Sequence, residues 1–309
     1  MTLITVPCDV CGSTNFKLVY SGTVAAADSN VAAYYSSSRS RAGHLPIVRC
    51  VNCGLVMTNP RDDDATLAQV YAGLQDVVYD VEDENRRYTA QRFLALVQEF
   101  RPPPARLLDV GCATGLFIRE AHQAGYQVTG LEASEWAVAR ARERCGRAAT
   151  IVSGFLEKTD LPPQSFDVIT AWDVLEHVSR PTEIAQRLRG WLADDGWLFL
   201  NVPDIESRIA RLMGKRWVLL LREHLWYYSP ATMSALLGRT GFEPIRFRSH
   251  MVQFSAANVL GRAAQYPAVV GRLSARLASS NWLERITLRF PMGEMNVVAR
   301  KRFPLNGGR

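Results

Sequence analysis

The sequence predicts an α/β protein, a parallel sheet with helices on both faces, preceded by a small cysteine-bearing module. Three observations carry this. Short apolar runs alternate with segments of helical period from about residue 82 to residue 202. A glycine-rich turn joins the first of those runs to the helix after it. Two Cys-x-x-Cys pairs, Cys8/Cys11 and Cys50/Cys53, stand upstream of the alternation.

Residues 82–100 have helical periodicity, with Phe93, Leu94, Val97 and Phe100 at helical spacing, and Pro102-Pro103-Pro104 ends the helix. Residues 106–110 form a short apolar strand, and 116–124 a helix closed by Gly125. Residues 127–131 are a strand, 135–145 a helix followed by Gly146, and 149–152 a strand. A strand at 166–171 lies between Pro162-Pro163 and Asp173. The helix at 182–192 has Pro181 near its start and Ile184, Leu188 and Leu192 on one face. Asp194-Asp195-Gly196 turns the chain into a strand at 197–202. The pattern then changes. A helix runs from Ser229-Pro230 to Gly241, a strand occupies 243–248, a helical Arg-rich stretch about 252–289, and a last strand 294–301. The expected division is a module at 1–75 and a larger domain at 76–309.

A chain of 309 residues, 48% apolar and 21% charged, can bury a sizeable core. No run approaches the ~18 apolar residues of a membrane span, and residues 1–7 lack a basic leader, so a cytoplasmic location is expected. The net charge of +6 is uneven. Residues 245–309 hold eleven basic and two acidic residues, a local +9, which leaves −3 for the rest. The basic character is one patch, and general nucleic-acid binding is not expected. Arg262, Arg272, Arg276, Arg285 and Arg289 are interleaved with apolar residues and Trp282. The expected form is an amphipathic helical pair with a solvated Arg face; the same pattern suits an anionic membrane surface or a phosphate-bearing substrate.

The segment from Leu107 to Gly115 sits at a strand-to-helix junction. Its glycines allow a tight turn and close approach to a ligand, and the helix start offers free N–H groups. Ala113 stands where a middle glycine is usual. A second strand ends at Glu132, placed to accept hydrogen bonds from both hydroxyls of a ribose. The alternative is a packing turn, with Glu132 as a helix-start carboxylate. The register of both elements favours the ligand-binding reading.

These residues resemble motif I and the ribose-binding acid of class I methyltransferases that use S-adenosylmethionine (SAM). Ser165 to Ile169, Asp173 to Val178, Asp194 to Leu198, and the stretch from His224 to Phe242 resemble further segments of that family. The resemblance covers about residues 76–309 and implies a Rossmann-like methyltransferase sheet. It also implies that Asp109, Gly111, Ala113 and Gly115 line the methionine and ribose part of SAM. Glu132 would hold the ribose, Ala133, Phe155 and Leu156 would lie by the adenine, and Trp172 would flank the methionine. Phe155 stands where many relatives carry an acid. Cys112 reads as a packing residue.

Methyl transfer needs alignment and a place for the acceptor's proton. His177, just after a strand end, is the first candidate base, with a helix-packing role as its alternative; His224 is the second. Asp173-x-x-Glu176-His177 also resembles the magnesium set of ubiquinone-pathway O-methyltransferases, but solvation or helix capping is the favoured role. Trp217, Trp226, Tyr227 and Tyr228 are expected to form a lid over the acceptor, with core packing as the alternative.

Cys8, Cys11, Cys50 and Cys53 have zinc-knuckle spacing, with Gly12 and Gly54 after each pair. Four protein ligands close the site, so a structural zinc is expected. Residues 49–60 resemble the zinc ribbon of bacterial sugar and secondary-metabolite methyltransferases, where the module helps form the acceptor pocket. The implied function is SAM-dependent methylation of a small-molecule acceptor, with O-methylation of a sugar, glycolipid or secondary metabolite as the leading form. The alternatives are an RNA base methyltransferase and a non-catalytic SAM-binding scaffold. Ala171-Trp172-Asp173-Val174 lacks the Asn/Asp-Pro-Pro-aromatic segment of many base-methylating enzymes.

Overall fold

The computed structural model describes residues 2–24, 31–35, 43–75, 83–256, 283 and 286–302, with residues 83–85 described by backbone alone. The N-terminal part folds into β1 (Leu3–Ile4), β2 (Phe16–Tyr20), β3 (Ile47–Cys50), β4 (Val56–Thr58) and β5 (Arg61–Asp62), then α1 (Asp64–Ala72). Asp63 caps α1 by accepting the Thr66 N–H. Helix α2 (Asp83–Phe100) leads into β6 (Arg106–Val110), α3 (Leu116–Gln123), β7 (Gln127–Glu132), α4 (Glu135–Cys145) and β8 (Ala149–Ser153). Next come β9 (Phe166–Trp172), α5 (Pro181–Trp191), β10 (Leu192–Pro203) and α6 (Arg208–Met213). The chain ends with β11 (Trp226–Tyr227), α7 (Pro230–Arg239), β12 (Phe242–Ser249), β13 (Val252–Ser255), β14 (Thr287–Phe290) and β15 (Glu294–Lys301).

Seven strands form the main sheet in the order β12-β15-β10-β9-β6-β7-β8. The five from β10 to β8 are parallel, and β15 runs antiparallel between β10 and β12. Leu107, Leu108, Val168, Ile169, Leu198 and Leu200 are all buried, because helices cover both faces. The chain leaves β6 toward β7 on one side and returns as β9 on the other. The carboxyl ends of β6 and β9 therefore flank a crevice. The five parallel strands are the sheet that the alternation implied, and their order is the Rossmann-like one that the resemblance implied. No helix among the described residues is long and apolar enough to cross a membrane.

Two expectations need correction. The stretch at 252–289 is not helical at its ends, where β13 and β14 pair antiparallel from Val252↔Phe290 to Ser255↔Thr287. Both segments alternate with β-branched or aromatic residues, which suits a pleat. Arg262, Arg272, Arg276, Trp282 and Arg285 lie outside the described residues, whereas Arg289 sits over the Tyr88 ring. The aromatic segment is core and not a lid: Trp217, Trp226, Tyr227 and Tyr228 are each at most 2% exposed. The Trp226 indole N–H donates to the Val178 carbonyl, and β11 is used as a strand.

That strand joins the cysteine module. A second sheet has the order β11-β4-β3-β2, with Trp226 opposite Met57 and Tyr227 opposite Val56. Two polar ties reinforce it. Arg222 makes a bidentate ion pair with Asp62 at 2.7 and 2.9 Å, both side chains at most 1% exposed. Asp9 accepts the Thr182 N–H at the start of α5.

Close packing behind the crevice generates a prediction. A Cβ on Gly130 in β7 would lie 2.3 Å from Ile118 Cδ1 and 2.6 Å from Cys112 Sγ. Overpacking of this kind costs about 1–3 kcal/mol. Gly130→Ala is expected to lower unfolding free energy in urea by about that much, and unchanged stability would contradict the packing.

Candidate active site

The glycine loop follows β6 and turns through left-handed backbone at Gly111, Ala113 and Gly115, with φ of +70°, +47° and +79°. Gly115 is needed for packing: a Cβ there would lie 3.0 Å from Cys145 Sγ and 3.1 Å from the Ala141 Cβ. Ala113 holds its conformation through Glu132. One Glu132 oxygen accepts the Ala113 N–H at 2.9 Å and the other the Ser134 N–H at 2.8 Å. Burial pushes the Glu132 carboxyl up, while the N–H groups of Ser134, Ala113 and Ala133 pull it down. Asp109, at the end of β6, accepts from the Thr170 hydroxyl at 2.7 Å, and burial raises it to about 7.

A cavity of about 540 Å³ opens over these groups. Asp109, Gly111, Ala113, Glu132, Ala133, Phe155, Leu156 and Trp172 line one end, and His177 and His224 the other. Gly115 stands behind the wall, not on it. Trp172 stacks on Phe93 with ring centroids 4.0 Å apart and planes at 4°. Cys112 is buried behind the loop.

At the far end, His177 Nδ1 donates to the Glu223 carbonyl at 2.9 Å and His224 Nδ1 to the Leu219 carbonyl at 2.9 Å. A carbonyl only accepts, so each neutral ring carries its proton on Nδ1 and its basic nitrogen is Nε2. The ring centroids are 4.9 Å apart. Donor atoms of Glu176, His177 and His224 lie within 4.8 Å of one another. Burial pushes the Glu176 carboxyl well up, with Asp173 adding to it. Asp173 takes φ +56° and accepts from the Asn201 amide, so its carboxylate is tied to β10 and is not in the histidine cluster.

Sequence reasoning missed Tyr35 and Tyr71, which come from the N-terminal part, and Glu223, His250 and Glu294. Only Glu223 carried a signal, as the neighbour of His224. The other four reach the cavity through tertiary packing. His250 stacks on Phe93, and burial pushes it down to about 4.

The four cysteines converge. Cys8 and Cys53 sulfurs are 3.4 Å apart, Cys11 and Cys50 sulfurs 3.5 Å, and all four lie within 4.8 Å. Tetrahedral thiolate sites with bonds of ~2.3 Å have sulfur–sulfur edges of ~3.8 Å, so the set fits such an ion. The two knuckles match: Gly12 N–H donates to the Cys8 carbonyl and Gly54 N–H to the Cys50 carbonyl, both glycines at positive φ.

Residues 83–246 match the family described as a methyltransferase domain. A ubiquinone biosynthesis O-methyltransferase of Bordetella bronchiseptica is 27% identical over 154 residues, covering 46% of this chain and 64% of the relative. One from Xanthomonas euvesicatoria is 29% identical over 182 residues, covering 52% of this chain and 76% of the relative. The chain thus spans a little under two thirds of the length of the first of these. A chain of the solved complex between the Haloferax volcanii Trm112 methyltransferase activator and a methyltransferase superposes with a TM-score of 0.52. It is 14% identical, covering 79% of this chain and 99% of that one, a likeness of fold alone.

The Asp109 environment predicts a pH effect. Its folded value, about 7, lies above its ordinary 3.8, so the folded state holds the proton more tightly. The associated stabilisation is present below pH 3.8 and is lost as pH rises toward 7. Asp109→Asn is expected to remove that slope. Urea denaturation of both proteins across this range checks it, and parallel stability curves would exclude the assignment.

Proposed function

The chain belongs to the methyltransferase-domain family, and from that membership we propose that it methylates an oxygen of a small-molecule acceptor with SAM. The observation that carries the proposal is the single cavity running from the Glu132-clamped loop to the His177–His224 pair. Each Glu132 oxygen already takes one backbone N–H and retains a second acceptor position for a ribose hydroxyl. Ala133, Phe155 and Leu156 supply an apolar wall for the adenine. Asp109, Gly111, Ala113 and Trp172 surround the methionine end, and Gly115 holds the loop from behind.

Bound there, SAM supplies an activated methyl on a sulfonium. His177 Nε2 accepts the acceptor's hydroxyl proton as the oxygen–carbon bond forms and the carbon–sulfur bond breaks. His224 orders the same end from its buried position. Asp173, Glu176, Glu223 and Glu294 line this region. The acceptor class we assign is a sugar, glycolipid or secondary metabolite, methylated in the cytoplasm. The +9 of residues 245–309 supports a sugar- or lipid-linked form and a peripheral membrane contact through 252–289. Cys8, Cys11, Cys50 and Cys53 hold a structural zinc in this reading, in the division 1–75 and 76–309.

Two substitutions separate the ends of the cavity. Glu132→Ala is expected to weaken SAM binding by about 1.5–3 kcal/mol, measured by calorimetry. His177→Ala is expected to lower turnover by ~10²–10⁴ with SAM affinity nearly constant. Turnover is first located by screening sugars, nucleotide sugars, phenols and RNA. Full activity in His177→Ala would reassign the base, and RNA as the sole acceptor would overturn the substrate class.

The metal is tested separately. Elemental analysis should find about one zinc per chain, since a set of four cysteines closes one site. Cys50→Ser should lose the zinc and destabilise the N-terminal module. A zinc-free wild-type protein of equal stability would contradict the assignment.

A further inference from the structure

We propose that Thr58 and Asp62, at the edge of the cysteine module, are positioning residues for the histidine pair. The inference rests on the reading of His177 and His224 as the proton-accepting end. Both imidazoles are oriented by backbone carbonyls, those of Glu223 and Leu219. The segment that supplies them, residues 217–225, is a series of turns outside any helix or strand. Its carbonyls are not aligned by a repeating hydrogen-bond ladder, so their directions depend on what grips the segment.

The larger domain holds the first part of this segment, where the Trp217 indole N–H donates to the Met292 carbonyl and the Tyr227 hydroxyl pairs with the Leu221 backbone. The N-terminal part holds the stretch that follows. Arg222 is held by Asp62 through two charge-assisted hydrogen bonds, buried on both sides. The Thr58 hydroxyl donates to the His224 carbonyl at 2.7 Å, and the Thr58 N–H donates to the Leu225 carbonyl at 2.9 Å. Glu223, whose carbonyl orients His177, lies between these anchors. From the other side the Glu176 carbonyl accepts the Leu225 N–H at 2.8 Å, so the segment is held between the module and the loop after β9. The Glu132 clamp uses only the glycine loop, β7 and the start of α4. Thr58 and Asp62 are thus tied to the acceptor end, whereas the N-terminal part meets the Glu132 end through a different residue, Leu74, whose carbonyl accepts the Ser134 hydroxyl at 2.8 Å.

The consequence is specific. Which imidazole nitrogen carries the proton is set by the partner of the other. Loosening the turn releases His177 and His224 from the Nδ1–H form, and Nε2 is then no longer reserved for the acceptor. Zinc content and SAM affinity are unaffected.

The experiment uses the full chain with ¹⁵N-labelled histidine. The chain has five histidines, each assignable by substitution. Long-range ¹H–¹⁵N spectra at slightly alkaline pH should show His177 and His224 as Nδ1–H tautomers. Thr58→Val keeps the shape but removes the hydroxyl donor, and it should convert both rings, His224 first, to mixed tautomers. Thr58→Ser restores the donor and should restore the wild-type pattern. Asp62→Asn should act in the same direction as Thr58→Val; if it fails to fold, the Thr58 pair decides alone. With an acceptor in hand, Thr58→Val should lower kcat by roughly 10- to 100-fold with KM for SAM unchanged. A folded, zinc-loaded Thr58→Val with unchanged tautomers overturns the proposal, as does a wild-type protein whose rings are protonated on Nε2. Loss of SAM binding in the wild type would instead refute the functional reading, and the spectra distinguish the two failures.

Discussion

The Glu132 carboxylate joins the end of β7 to the glycine loop after β6 and to the first turn of α4. The loop depends on this contact. Ala113 adopts φ +47°, where an L-residue with a Cβ pays ~1–2 kcal/mol relative to right-handed backbone. A hydrogen bond to a charged acceptor contributes ~1.5–3 kcal/mol, enough to offset that strain. The substitution of Ala113 for the usual glycine is therefore compatible with the same loop shape. Gly111 has no such latitude, because a Cβ there would meet Val174 Cγ2 at 2.6 Å. Gly111 and Ala113 are solved differently, one by a missing side chain and one by a carboxylate 19 residues away.

The same enclosure shapes the electrostatics. Asp109, Glu132 and Glu176 all have carboxyls raised chiefly by burial. A cation entering the cavity favours their ionised forms and is favoured by them in turn. A sulfonium suits such a wall, and a neutral thioether product does not. The cavity thus distinguishes the two sides of the proposed reaction by charge as well as by shape. His177 and His224 sit beside one of these carboxyls, Glu176, with donor atoms of the three within 4.8 Å of one another.

The alternation of strands and helices, the loop at 107–115 and the two cysteine pairs were legible in the sequence because each is a local pattern with a fixed spacing. The long-range features were not. Nothing about Trp226-Tyr227 announces that it pairs with Met57 and Val56, and a run of aromatics reads as readily as a lid. Tyr35 and Tyr71 line the cavity only because the N-terminal part folds back onto it. At 252–255 and 287–290 the local composition suits a strand, but each half needs its partner to become one. The Asp173–Glu176–His177 spacing resembles a magnesium set but favoured solvation or capping, and it gave no sign that a left-handed turn directs Asp173 to Asn201 while His224 joins Glu176 and His177.

The buried Arg222–Asp62 pair explains how so short a strand finds its place. Two residues in β11 specify register weakly, and a slip by one would turn each side chain to the opposite face. A buried ion pair is poor evidence of net stability, since its desolvation rivals its attraction. Its effect is directional. The guanidinium fork meets the carboxylate in one orientation, and a misdocked module would leave both charges buried without partners, at a cost of about 3–5 kcal/mol. That penalty falls on the wrong registers and not on the right one. It fixes Trp226 against Met57, and through the adjoining turn it fixes the carbonyls that orient His177 and His224. Docking of the module and geometry of the acceptor end are consequently one structural problem, solved by the same few contacts.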